Sequence, residues 1–205
     1  MKQFRGKTAF VTGGSSGIGL GIAKVLAAEG MNVVFTWLRQ DQLDEAMAWF
    51  AERPHQQVYP MRLDVTDREA YARAADEVQR VFGVPHLLVN NAGVGLRGSM
   101  ERPTYDDWDW VLGVNLGGVV NGIVTFLPRM LATGQEGHIV NVSSMSGVAA
   151  IGQVGLYTTS KFALMGLTEA LRSDLANTSV GVSVYCPGTV KSGIAEAFRL
   201  RPERF

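Results

Sequence analysis

The stretch Thr8-Ala9-Phe10-Val11-Thr12-Gly13-Gly14-Ser15-Ser16-Gly17-Ile18-Gly19 decides the fold. Its first five residues form a β-prone run without polar alternation, which predicts a strand buried on both faces. Glycines follow, and an apolar helical pattern then runs from Gly17 to about Glu29. A strand, a glycine turn and a helix start in that order make an anion cradle. The glycines let the backbone come close, and the free N–H groups of the first helical turn face a pyrophosphate. The alternative is a glycine turn that holds nothing. The spacing is G-x-x-x-G-x-G rather than the commoner G-x-G-x-x-G. No Gly-Lys-Ser/Thr follows it, so a nucleoside triphosphatase loop is unsupported.

The same alternation continues outward. Strands are predicted at 8–12, 32–37, 58–63, 87–89, 139–142 and 182–185, and helices at 17–29, 41–53, 67–82, 105–131 and 156–177. Regular βαβ order predicts an α/β fold, a doubly wound Rossmann-type three-layer sandwich with a mainly parallel central sheet. No linker or repeat interrupts it, so residues 1–205 read as a single dinucleotide-binding and catalytic domain. The polar segment 187–205 is short for an edge strand or a substrate lid, and the domain is expected to lack its C-terminal end.

Composition removes several function classes. The 205 residues carry 19 basic against 19 acidic side chains, which leaves no electrostatic footprint for nucleic acid or an anionic membrane. One cysteine, Cys186, cannot form an internal disulfide, and three scattered histidines offer no metal-ligand spacing, so no metal is expected. The start of the chain has no signal-peptide pattern. The apolar run Val111 to Leu127 carries Asn115 and Asn121, and reads as a buried helix of a soluble, cytoplasmic protein rather than a membrane span.

Tyr157-Thr158-Thr159-Ser160-Lys161 puts a phenol and an ammonium at i, i+4 on one helix face. A tyrosine with its ordinary pKa near 10 needs a shift of roughly three units, about 4 kcal/mol, to act as a base near neutrality. A neighbouring ammonium supplies such a shift. Asn90-Asn91-Ala92-Gly93 ends the fourth strand, Ser143-Ser144 the fifth and Pro187-Gly188 the sixth. Each could be an ordinary turn. Together with the glycine turn they imply one crevice at the carboxyl edge of the sheet, where open α/β sheets bind ligands.

This combination of T-G-x-x-x-G-x-G, N-N-A-G, a serine thirteen residues before Y-x-x-x-K, and P-G resembles the short-chain dehydrogenase/reductase family over nearly the whole chain. The resemblance implies a nicotinamide-dependent oxidoreductase acting on an alcohol/carbonyl pair. By position, Tyr157 would be the acid/base, Lys161 would lower its pKa and hold the nicotinamide ribose, and Ser144 would bind the substrate oxygen. Asn115 would support a water-linked proton path to the lysine, or be simply a satisfied buried amide. Asp64, followed by Val65, would meet the adenine, or cap the next helix. Gly13, Ser15, Ser16, Gly17, Ile18, Gly19, Asn91, Ala92, Gly93, Pro187, Gly188, Val190 and Ser192 complete the implied dinucleotide contacts. The resemblance also implies a homodimer or homotetramer. Met145 and 148–154 are expected to border the substrate.

A narrower likeness runs through Tyr105-Asp106-Asp107-Trp108-Asp109-Trp110, Asn121 to Phe126, and Lys191-Ser192-Gly193-Ile194 to Arg201-Pro202. These are similar to the Cα-dehydrogenases of lignin-derived aryl ethers, which implies a benzylic secondary alcohol. For the cofactor, Trp37 stands where an acid would bind the 2′-hydroxyl of NAD, and Arg39 is at hand to pair with a 2′-phosphate. That favours NADP, with NAD as the alternative. Two rivals remain: a non-catalytic dinucleotide sensor, and an epimerase or dehydratase of the extended relatives. The first is expected to have lost Ser144, Tyr157 or Lys161, and the second to use a T-G-x-x-G-x-x-G turn.

Overall fold

The structure, a computed structural model, describes residues 3–190, 192–194, 197 and 201. Six strands form one sheet: β1 (Thr8–Val11), β2 (Asn32–Trp37), β3 (Val58–Arg62), β4 (Leu87–Asn90), β5 (Gly137–Val142) and β6 (Val180–Tyr185). Their order is β3-β2-β1-β4-β5-β6, and every neighbouring pair is parallel. The order reverses direction beside β1, so the crevice at the strand ends opens between β1 and β4. β5 and β6 each begin two residues earlier than their apolar pattern, because Gly137↔Val180 and His138↔Gly181 pair through the backbone. Gly181 suits that register, since a Cβ there would lie 2.7 Å from the His138 ring.

Helices α1 (Gly17–Ala28), α2 (Gln40–Ala51), α3 (Arg68–Phe82), α4 (Tyr105–Leu112), α5 (Gly118–Ala132) and α6 (Gly155–Asp174) cover the two faces. Asp67 caps α3 by accepting from Ala70 N at 2.9 Å, which leaves Asp64 outside the helix. On one face of the sheet Phe10 sits 4.7 Å from Phe126 and 6.1 Å from Tyr71, centroid to centroid, under α3 and α5. On the other, Phe35 packs against Phe50 of α2 beside Ala23 and Ala27 of α1.

The helix expected over 105–131 is two helices joined by a π-helical turn, Gly113–Gly117. A capping box of Thr104 and Asp107 starts α4. Periodicity cannot reveal the π turn, which accommodates one extra residue without ending the apolar run. By length and composition Tyr105–Ala132 could cross a membrane. In the fold it packs against α3, α6 and β4, and Asn115 and Asn121 are both buried and hydrogen-bonded.

Candidate active site

The turn after β1 is built by close approach. Gly13 has φ +61°, and a Cβ on it would lie 3.0 Å from the Ala92 Cα. A Cβ on Gly19 would lie 2.2 Å from the Gly13 carbonyl oxygen and 2.4 Å from Asn91 Nδ2. Thr12 Oγ1 accepts from the backbone N–H groups of Asn91 and Ala92 at 2.9 and 3.0 Å, and Asn91 Nδ2 donates to the Thr12 carbonyl at 2.9 Å. Thr36 Oγ1 accepts from Gly13 N at 3.0 Å. The glycine turn is therefore clamped to the ends of β4 and β2 by Thr12, the motif's first residue, and by Thr36, a site-building residue that motif reading passes over. The N-terminus of α1 has no side-chain cap at Ser16 and no acid in its first turn. Those first-turn N–H groups and the positive end of the helix dipole suit a pyrophosphate.

A cleft of about 620 Å³ runs from this turn across the strand ends. Of the residues expected to bind the dinucleotide, Gly13, Ser15, Ser16, Ile18, Arg39, Asp64, Val65, Asn91, Ala92, Gly93, Pro187, Gly188, Val190 and Ser192 line it, with Ser144, Tyr157 and Lys161. Gly17, Gly19 and Asn115 stand behind the wall. Gly19 makes the helix-to-turn packing possible, and Gly17 lies against Ser192, whose Cβ is 3.2 Å from the Cβ position. At the far end, Asp64 Oδ1 accepts from Thr66 N and Oγ1 at 2.9 and 2.7 Å. Asp64 thus braces the loop after β3 on the cleft wall instead of capping α3. Arg39 pairs side-on with Asp41 through one guanidinium edge, Nε to Oδ1 at 2.9 Å and Nη2 to Oδ2. The arginine expected to meet a 2′-phosphate already holds a carboxylate.

The reactive groups lie at the other end. β5 runs into Ser144, and α6 begins at Gly155, so Tyr157 and Lys161 fall on successive turns facing the cleft. Lys161 Nζ is 5.5 Å from the Tyr157 ring centroid and donates to the Val142 carbonyl at 2.9 Å. The lysine is buried, and loss of hydration lowers its pKa to about 8, with Cys186 opposing weakly. Burial raises the Tyr157 pKa, and the Ser144 hydroxyl acts against that rise. The net direction is up, where the sequence reading expected a fall driven by the lysine. Desolvation dominates both groups and moves each toward neutrality.

Asn115 commits both amide N–H groups and one oxygen lone pair to structure. Its Oδ1 accepts from Val94 N at 2.8 Å, and its Nδ2 donates to Val94 O and to Ser160 Oγ, both at 2.9 Å. Ser160 Oγ in turn donates to the Tyr157 carbonyl at 2.7 Å. The π turn thus ties the end of β4 to the tyrosine's own backbone. A Cβ on Gly93 would lie 3.3 Å from Asn115 Oδ1 and 3.5 Å from Lys161 Nζ, so the bare glycine leaves a notch between those two polar atoms.

Beyond Tyr157 the cleft is walled by apolar Leu96, Trp110, Val114, Val154, Ile194 and Ala197. Of Met145 and 148–154, expected at this border, only Val154 lines it. Gln153 takes φ 66°, a bridge joins Val154 to Gly98, and Met145, Val148 and Ile151 face solvent. Trp110 is core and cleft wall together. Lys191 and Pro202 lie outside the described residues.

A family model described as short chain dehydrogenase matches residues 7–203. A relative named C alpha-dehydrogenase, from Sphingobium sp. strain NBRC 103272 / SYK-6, is 48% identical over 206 aligned positions, covering 100% of this chain and 67% of the relative. A short chain dehydrogenase/reductase from Burkholderia phymatum, solved in complex with NAD, superposes with a TM-score of 0.95 at 39% identity, over 100% of this chain and 73% of that one. A proposed NAD(P)-dependent gluconate 5-dehydrogenase from Beutenbergia cavernae, with bound NADP at low occupancy, has a TM-score of 0.86 at 35% identity, over 98% and 80%. These neighbours support a nicotinamide dinucleotide as the cofactor, and the capless α1 terminus and bare glycine walls fit one. Fold, cleft and family match agree: this chain belongs to the short chain dehydrogenase family of oxidoreductases.

Proposed function

We propose that the chain interconverts a secondary alcohol and a ketone on a bound nicotinamide dinucleotide, with Tyr157 as acid/base. The observation that carries this is the meeting of Tyr157, Ser144 and Lys161 at one end of a glycine-walled trench. The dinucleotide, when bound, supplies the hydride acceptor or donor and, when oxidised, a positive ring. In the oxidation direction Tyr157 Oη accepts the hydroxyl proton, and Ser144 holds the same substrate oxygen as its charge changes. Lys161 stabilises the phenolate that accepts it. A water in the notch at Gly93, hydrogen-bonded to Lys161 Nζ and held by Asn115 Oδ1, would take the proton on toward solvent, so Asn115 both positions α6 and anchors that water. A sensor that had abandoned catalysis would not keep these groups together, and the glycine turn is not that of the extended epimerases.

The cofactor is NADP on this reading, with Arg39 exchanging Asp41 for the 2′-phosphate. The Arg39–Asp41 pair is the specific observation that favours NAD, because the Asp41 carboxylate beside the guanidinium repels a phosphate and competes for it. The apolar wall around Trp110 and the relative named C alpha-dehydrogenase support an aryl, benzylic alcohol. Exposed Tyr105, Val124 and Phe162 on α4, α5 and α6 support pairing of these helices in a cytoplasmic homodimer or homotetramer.

The test is oxidation of 1-phenylethanol with either dinucleotide by the wild type and Tyr157→Phe. The variant should lose about 10²- to 10⁴-fold in kcat and keep its dinucleotide affinity. Turnover near the wild-type rate in Tyr157→Phe refutes the assignment.

A further inference from the structure

Asn141 in β5 and Ser143, which continues the strand's line one residue past its end, stand at alternate positions, so both point to the same side of the sheet. Both reach α6. Asn141 Nδ2 donates to Thr168 Oγ1 at 3.0 Å, and Ser143 Oγ donates to the Lys161 carbonyl at 3.0 Å. Lys161 and Thr168 are seven residues apart, two helical turns on one stripe. Between these two residues, the Val142 carbonyl accepts from Lys161 Nζ at 2.9 Å. Ser143 and Lys161 are each only 3% exposed.

Gly147 closes this contact from the third side. A Cβ there would lie 2.5 Å from Ser143 Oγ and 2.7 Å from the Lys161 carbonyl oxygen. The residue opposite the Ser143 bond must therefore be bare. Apolar packing between a helix and a sheet tolerates small slides, whereas a buried, directional hydrogen bond does not. One such bond leaves a pivot. Two, separated by two turns, set both the slide and the rotation of α6.

We propose that Ser143 is a positioning residue for hydride transfer: its bond to the Lys161 carbonyl, with Gly147 kept bare beside it, sets where the Lys161 ammonium and the Tyr157 hydroxyl stand in the cleft. Ser144 next to it touches the phenol, so Val142, Ser143 and Ser144 grip three successive points of the reactive turn. The inference rests on Tyr157 and Lys161 being the reacting pair. Loss of the Ser143 hydroxyl frees the helix to shift by a fraction of an ångström, and misplacements near 1 Å cost about 10²-fold in rate.

The experiment compares wild type and Ser143→Ala in the oxidation of 1-phenylethanol across pH, with dinucleotide affinity and Tm measured on the same samples. The variant should lose about tenfold or more in kcat, with KM and dinucleotide Kd within about twofold. The acid limb of its kcat profile should move upward, because the phenolate loses a well-placed ammonium. The titratable groups facing Lys161 are Tyr157 on its own helix and Cys186 beyond β6, and neither is altered. An unmoved limb overturns the inference, whether kcat is unchanged or falls together with dinucleotide affinity and Tm. If Ser143→Ala does not fold, Gly147→Ala should give the same signature from the other side, and its absence there overturns the inference too. A wild type that oxidises no alcohol with either dinucleotide refutes the functional reading itself, and this inference with it.

Discussion

Gly19 and Gly21 lie two residues apart in α1, on opposite faces of the helix, and replacing each with alanine should have opposite effects. In a helix interior, glycine costs roughly 0.5–1 kcal/mol relative to alanine through the freedom it has in the unfolded chain. Gly21 meets nothing within 4 Å of its Cβ position, so Gly21→Ala should stabilise by about that amount. Gly19→Ala gains the same term and then collides with the backbone. Its Cβ would sit 2.2 Å from the Gly13 carbonyl oxygen and 2.4 Å from Asn91 Nδ2, and the first of these belongs to a turn clamped by Thr36 and Asn91. Overpacking of this kind costs about 1–3 kcal/mol. Displacing the Asn91 amide from its bonds to the Thr12 and Gly13 carbonyls adds about 1 kcal/mol for each one lost.

The two variants should therefore differ by about 2–5 kcal/mol, with Gly21→Ala above the wild type and Gly19→Ala below it. For a domain of this length each kcal/mol moves Tm by about 2–4 °C. Urea midpoints and thermal melts read the difference directly. Dinucleotide titration should show affinity lost in Gly19→Ala alone, since the same collision opens the cradle. Gly19→Ala with the Tm and dinucleotide affinity of Gly21→Ala would refute the close-packing account of the turn.

Burial gives Lys161 a folded pKa of about 8 against an ordinary 10.5. The unfolded chain holds the extra proton between those values, so stability should rise by about 2–3 kcal/mol from pH 8 toward 10 and fall back as pH drops through 8. Lys161→Met should lose that slope in urea titrations; an equal slope in both proteins would contradict it. Asp41→Asn should free the Arg39 fork and tighten NADPH binding about two- to fivefold, as expected for an exposed pair, without changing NADH binding. Arg39→Ala should weaken NADPH binding about tenfold or more, and an indifferent NADPH titration in both variants would remove Arg39 from the phosphate site.

What was legible in the sequence was what depends on neighbours along the chain. The strand before Gly13, the glycine turn, the Asp67 cap and the i, i+4 spacing of Tyr157 and Lys161 are local patterns, and the sheet order follows once βαβ units repeat. What was not legible depends on residues distant in sequence. The π turn at Gly113–Gly117 exists beside Val94, whose N–H and C=O both bond the Asn115 side chain; no period in the run 105–131 encodes that partner.

The Tyr157–Lys161 pair shows the same division within one site. Spacing places both groups on one face, but the sign of their shifts comes from burial by Val142, Gly93 and the cleft walls, which spacing does not contain. Opposite charges at helical spacing would normally favour both ionised forms. Here loss of hydration outweighs that attraction and pushes each group toward its neutral form. Tyr157 accepts a proton only as the phenolate, so its ion pair with Lys161 stands before the proton leaves the substrate and is discharged by that transfer. The ammonium's stabilising effect therefore falls on the phenolate that precedes oxidation, and it sets how much of the enzyme is ready to accept the proton.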